Sequence, residues 1–172
     1  MSAQRLTIDD SELVATQTGR PPRTPWRVAA RCRFERPTVI ASPSRLDDGT
    51  PFPTLFWLTC PHLAEKVAAL ESAGEAARWA RRATEDPQLA AELRAADAAV
   101  REARAAESGG EDACASVGLA GQRDPLGVKC LHAHVAAALA GIADPVGAGV
   151  LSATPRECSD DRCARLAEGA SR

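Results

Sequence analysis

Every histidine of this chain lies in one of two short segments that also hold a cysteine: Leu58-Thr59-Cys60-Pro61-His62 and Val128-Lys129-Cys130-Leu131-His132-Ala133-His134. Thiolate sulfur and imidazole nitrogen can ligate a transition metal or run nucleophilic chemistry near neutral pH. About seventy residues separate the segments, so only a folded site could unite them. A helix over 128–140 places Cys130 and His134 one turn apart on a shared face and rotates His132 by roughly 200°. Cys60 stands where a strand-like run meets a helix that opens with Pro61. Unpaired amides and the helix dipole there favour a thiolate. Cys32, at the end of another strand-like run, completes a candidate zinc set of Cys32, Cys60, Cys130 and His134. Its dispersed spacing lacks the tight C-x₂-C pairs of specific zinc motifs. His62, Lys129, His132, Arg31 and Arg45 are further site candidates.

Two other readings fit the same residues. The cysteines are small buried side chains with the histidines hydrogen-bonded at the core edge, or Cys60 is a nucleophile with His134 or His132 as its base. Cys158 and Cys163 form C-x₄-C and read as exposed thiols of a polar tail. Asp47-Asp48-Gly49 reads as a turn. A Walker loop, a dinucleotide glycine fingerprint, a G-x-S-x-G elbow and an H-E-x-x-H pair are all missing, which removes the most recognisable nucleotide, hydrolase and metalloprotease classes.

The elements that must position these groups follow from patterning. A chain of 172 residues with 45% hydrophobic content suits one domain with a core. A net charge of -2 gives no global attraction to nucleic acid or anionic membrane. The N-terminus lacks an apolar export core and no run reaches membrane-spanning length, so the expectation is a cytoplasmic protein, not inserted in a membrane, with its thiols reduced. Thr7 to Thr18 reads as a helix ended by Gly19, followed by the Pro-rich connector Arg20 to Pro25. Trp26 to Cys32, Thr38 to Ala41 and Thr54 to Thr59 read as strands of a small antiparallel sheet. Helices are expected from Pro61, from Glu75 to about Glu107 with a break at Asp86-Pro87, and over Val128 to Ala140, with a short helical piece after Pro145. The fold class is therefore α+β: about three antiparallel strands packed on several helices, with the Glu75–Glu107 segment as a charged helical arm. Leu55, Trp57, Leu63, Val67, Leu70, Leu131 and Val135 are the expected core, with Trp79, Leu89, Leu93 and Val100 as candidate contacts from the Glu75–Glu107 segment. The organisation is an N-terminal helix and connector over 1–25, a single α+β domain over 26–150 and a flexible tail over 151–172.

At Arg45-Leu46-Asp47-Asp48-Gly49-Thr50-Pro51-Phe52-Pro53-Thr54-Leu55-Phe56-Trp57-Leu58-Thr59-Cys60-Pro61, followed by Val128-Lys129-Cys130-Leu131-His132, the chain resembles the DUF501 family, a bacterial domain of unknown function common in actinobacteria. The likeness runs over about Asp9 to Gly147, including Gly19 to Arg23 and Arg27 to Cys32. It implies a small cytoplasmic bacterial protein without an assigned reaction, often encoded beside a septum-formation initiator and an exopolyphosphatase-like protein. It also implies a shared site for Cys60, Cys130 and His132. Many relatives carry a second cysteine and then glycine just after the position of Cys32, where this chain has Phe34 and Glu35. The glycine pair usual before Val128 is altered here to Leu119-Ala120-Gly121-Gln122-Arg123-Asp124.

Two functional expectations result. One is a Cys/His site for metal, with zinc as the cofactor, or for thiol chemistry. The alternative is a non-enzymatic adaptor linked to cell division or envelope control. It would bind an acidic protein partner through the arginines between Arg20 and Arg36, or through the Glu75–Glu107 helices.

Overall fold

The computed structural model describes residues 9–170. The expected helix start at Thr7 lies outside them. Helix α1 covers Asp10–Thr18 and stops at Gly19, whose φ of 77° belongs to the left-handed region that glycine tolerates best. Three antiparallel strands follow in the order β1 (Arg27–Arg31), β2 (Pro37–Ala41), β3 (Phe56–Leu58). Central β2 is buried at all five positions, which explains its continuous Thr-Val-Ile-Ala run rather than an alternating one. Val39, Ile40 and Ala41 pair with Leu58, Trp57 and Phe56, which delivers the chain to Cys60 at the end of the sheet.

Helix α2 (Pro61–Ser72) opens with proline at its first position, where no backbone donor is needed. Helices α3 (Glu75–Glu85) and α4 (Pro87–Glu107) are divided at Asp86, whose carboxylate accepts the Gln88 and Leu89 amides at 2.9 and 3.2 Å. Helix α5 (Leu131–Leu139) packs on β3, β2 and α2, and against α6 (Pro145–Ala153). Leu63, Val67, Leu131, Val135, Trp79, Leu89, Leu93, Val146 and Val150 form the main core, while Leu55 joins Ala41, Val100, Leu119 and Ala137 in a second cluster. Leu70 and Trp57 are only partly buried.

Three features depart from sequence expectation. First, α5 begins at Leu131. Val128 has φ 36° and Cys130 is extended at φ -146°, so Cys130 precedes the helix and the expected one-turn relation to His134 within it does not form. Second, α4 is more than a charged arm: besides the expected core contacts Leu89, Leu93 and Val100, it also buries Ala90, Ala96, Asp97 and Arg104. Third, the C-terminal segment carries helix α7 (Arg162–Ala170), and its Cys163 and Ala167 form a small cluster with Leu13 of α1.

Arg104 fixes the irregular segment after α4. It is fully buried, and its Nε donates to both Asp112 oxygens at 3.0 and 2.9 Å. Its terminal nitrogens donate to the carbonyls of Pro53, Gly118, Cys114 and Val117 at 2.6–3.3 Å. The chain between α4 and α5 therefore gets its course from a buried cation rather than from regular structure.

Candidate functional site

Glu71 lies in the last turn of α2, and Cys130 and His132 lie at the start of α5, which packs beside it. One ligand atom from each of Glu71, Cys130 and His132 falls within 4.8 Å of the others. His132 Nδ1 is 3.1 Å from Glu71 Oε2, while Nε2 is 3.2 Å from the Ala64 carbonyl. A carbonyl only accepts, so Nε2 carries a proton and Nδ1 is the nitrogen that faces the site. The Leu131 amide donates to Glu71 Oε1 at 2.7 Å, which orients the carboxylate. Glu71 and His132 are thus each held by a backbone group behind them, the arrangement that fixes tautomer and aim in metal sites.

Electrostatics points the same way. Hydrogen bonding to Cys130, and then the hydrogen bond and charge of Glu71, overcome partial burial and raise His132 from 6.5 to about 9. Near neutral pH an imidazolium therefore fills a spot lined by a thiol and a carboxylate. Such a spot favours positive charge, and a divalent cation can replace the proton. The His132 and Glu71 side chains are 30% and 29% exposed, so a bound ion would keep access to solvent.

The other sequence candidates fall elsewhere. His134 is buried; its Nδ1 donates to Asp144 Oδ2 at 2.7 Å, and Asp144 Oδ1 accepts the Gly147 amide at 2.7 Å at the start of α6. That pair fastens α5 to α6. Cys60 is the N-cap of α2, eleven residues before Glu71 and hence about 16 Å away along the helix. Burial pushes the Cys60 thiol up, outweighing the amides of Leu63 and His62 that face it. Cys32 follows β1 at Cys60's end of the sheet. Among the described residues, no three of the expected ligands Cys32, Cys60, Cys130 and His134 come within 4.8 Å of one another.

His62 Nε2 meets the Pro155 carbonyl at 3.0 Å. Lys129 contributes its amide to Gln122 Oε1 at 3.1 Å, and Arg45 donates to the Gly49 carbonyl at 2.9 Å. In the basic segment, Arg23, Arg27, Arg31, Arg33 and Arg36 pair with Asp48, Glu107, Asp10, Glu157 and Asp161. All six cysteines are free thiols. A cavity of about 220 Å³ opens between the connector and the sheet, floored by stacked Phe52 and Trp57 and flanked by Arg20 and Arg23, with no cysteine or histidine in its lining.

Residues 28–152 match the family described as protein of unknown function (DUF501). The chain belongs to the DUF501 family. The matched DUF501 region contains Glu71, Cys130 and His132, and ends before Cys158, Cys163 and α7. No curated protein and no solved structure matches the chain. Among the described residues, no helix is long and apolar enough to cross a membrane. Glu71 escaped the sequence reading because nothing in local spacing links an acid at the end of α2 to a cysteine some sixty residues later. Only the packing of α5 on α2 reveals it.

Proposed function

We propose that the protein binds a divalent transition-metal cation, zinc by donor type, through Glu71, Cys130 and His132. The observation that carries this reading is the convergence of one oxygen, one sulfur and one nitrogen within 4.8 Å. This donor mix suits zinc, and three protein ligands leave one position of a tetrahedron for water or a substrate atom. Closed structural zinc sites use four protein ligands, so a partly exposed three-ligand site has the form of one that works on a bound ligand. Glu71 supplies charge, Cys130 enters as a thiolate, and His132 gives up its Nδ1 proton on binding while Nε2–H stays on the Ala64 carbonyl.

Calorimetric Zn²⁺ titration of the full chain and of Glu71→Gln, Cys130→Ala and His132→Ala tests the reading. The expected result is a binding step of the full chain that weakens at least tenfold in each variant. Retention of every binding step unchanged in all three variants refutes it.

A further inference from the structure

The face of the sheet turned away from α5 carries a cavity that shares no residue with the Glu71 cluster. Ile40 of β2 and Trp57 of β3 are register partners, so their side chains share one face, while Ala41, which packs with Ala137 of α5, points to the other. Phe52 stacks on Trp57 with ring centroids 5.4 Å apart and planes inclined by 21°. With Ile40 and Leu46 these rings floor a cavity of about 220 Å³, and the connector between α1 and β1 forms its other wall. Both walls are held in place. Thr18 Oγ1 lies 2.8 and 2.7 Å from the Val14 and Arg20 carbonyls. Thr24 Oγ1 donates to the Arg45 carbonyl at 3.1 Å, and the Asp47 amide donates to the Arg23 carbonyl at 3.0 Å. Pro21, Pro22 and Pro25 stiffen the connector further, so little freedom is left to lose on binding.

The lining selects a ligand by what it holds and what it lacks. Its aromatic and proline rings offer flat apolar surface. Among the described residues its charged side chains are Arg20 and Arg23, with no Asp or Glu beside them. Arg23 pairs with Asp48 at 3.2 Å, but both side chains are more than half exposed, so the pair is weak and the guanidinium can turn to a ligand. No acid among the described residues pairs with Arg20. Side-chain amides and imidazoles, the groups that read the edge of a nucleobase, are absent from the described lining. The volume matches about seven waters at ~30 Å³ each and falls below the usual range for drug-sized ligands.

We propose that this cavity binds a small aromatic anion, one planar ring carrying a carboxylate or a phosphate. The ring lies against the Phe52–Trp57 floor and the prolines. The anionic group meets the Arg20 and Arg23 guanidiniums, whose planar forks match either oxyanion. Binding here needs no metal at the Glu71 site.

The test follows the indole N–H resonances of the three tryptophans by ¹⁵N NMR while phenylacetate or phenyl phosphate is added to the full chain, with Trp57 assigned from Trp57→Phe. At least one of the two should shift the Trp57 signal saturably, with a Kd of about 1 mM or tighter, and the tighter one names the anionic group. Phenylacetamide, which keeps the ring and loses the charge, should bind at least tenfold more weakly. Acetate and inorganic phosphate should leave the signal in place. The double variant Arg20→Gln/Arg23→Gln, changed at two exposed positions, should weaken the tighter aromatic anion at least tenfold with an unchanged circular dichroism spectrum. Should that variant lose its fold, the phenylacetamide comparison decides alone. Failure of both aromatic anions to shift Trp57 saturably overturns the proposal. Equal affinity for the neutral amide, or affinity that the folded double variant retains, overturns it as well. AMP, a larger anion, should bind more weakly than the tighter aromatic anion, and the reverse order refutes the single-ring assignment.

Discussion

Replacing Arg104 with methionine keeps the unbranched apolar stem and deletes the whole guanidinium. In the folded protein this group is fully buried, bonds both oxygens of Asp112 and caps four carbonyls. Without it, Asp112 is a carboxylate with a 7% exposed side chain that keeps the Cys114 amide at 2.8 Å but loses its counter-charge. Removing one partner of a buried ion pair costs about 3–5 kcal/mol, because the survivor stays desolvated and uncompensated. A domain of ordinary stability holds only about 5–15 kcal/mol, so the variant should lose much of its margin. At roughly 2–4 °C per kcal/mol for a chain of this size, Tm should fall by roughly 6–20 °C. Urea denaturation should show the midpoint drop with little change in slope. The double variant Arg104→Met/Asp112→Asn should cost at least about 1 kcal/mol less than the two single changes summed, since each single change strands the other partner. A single-variant cost below about 1 kcal/mol, or simple additivity in the cycle, would refute the assignment of Arg104 as the buried hub of residues 108–118.

Three further outcomes follow from the geometry. In the metal-free protein, His132 should titrate near pH 9 by NMR rather than near its ordinary 6.5. Because its folded value is raised, its contribution to stability is fully present below about pH 6.5 and is lost as pH rises through about 9. With a ring 30% exposed and screened by solvent, that contribution should be roughly 1–2 kcal/mol, absent in His132→Gln. Gly118→Ala would place a Cβ 1.7 Å from Asp97 Oδ1, on a carboxylate that also accepts the Leu119 amide and pairs with Arg101, so chemical denaturation should show a loss of about 1–3 kcal/mol. Asp144→Asn leaves one acceptor where the Gly147 amide and His134 Nδ1 now use two, and the thermal midpoint should fall by the equivalent of about 1–3 kcal/mol.

What the sequence revealed and what it hid have physical causes. The β2 run, the prolines at the starts of α2, α4 and α6, and Gly19 each act within a few residues, so the sheet and most helix limits were legible. The start of α5 was not, because apolar periodicity continues through Val128 while the backbone there turns to φ 36°. That three-residue difference rotated the reasoning: it favoured His134 as Cys130's partner, whereas the structure sends His134 to Asp144 and brings His132 to Cys130 and Glu71. The apolar contacts of α4 were legible at Leu89, Leu93 and Val100, but its buried Arg104 was not, since a buried arginine cannot be told from a solvated one by composition. Cys158 and Cys163 looked like tail thiols because what holds them is long-range, running from Arg33, Arg36 and Gln17 to a polar segment with little pattern of its own.

The most direct measurement is metal content by mass spectrometry on the full chain. The protein should be purified without chelator or added metal, and compared with the same protein carrying His132→Ala or Glu71→Gln in addition. About one further equivalent of zinc in the parent than in either variant would establish the cation site at Glu71, Cys130 and His132. Equal metal in all three proteins, or none in any, would contradict it.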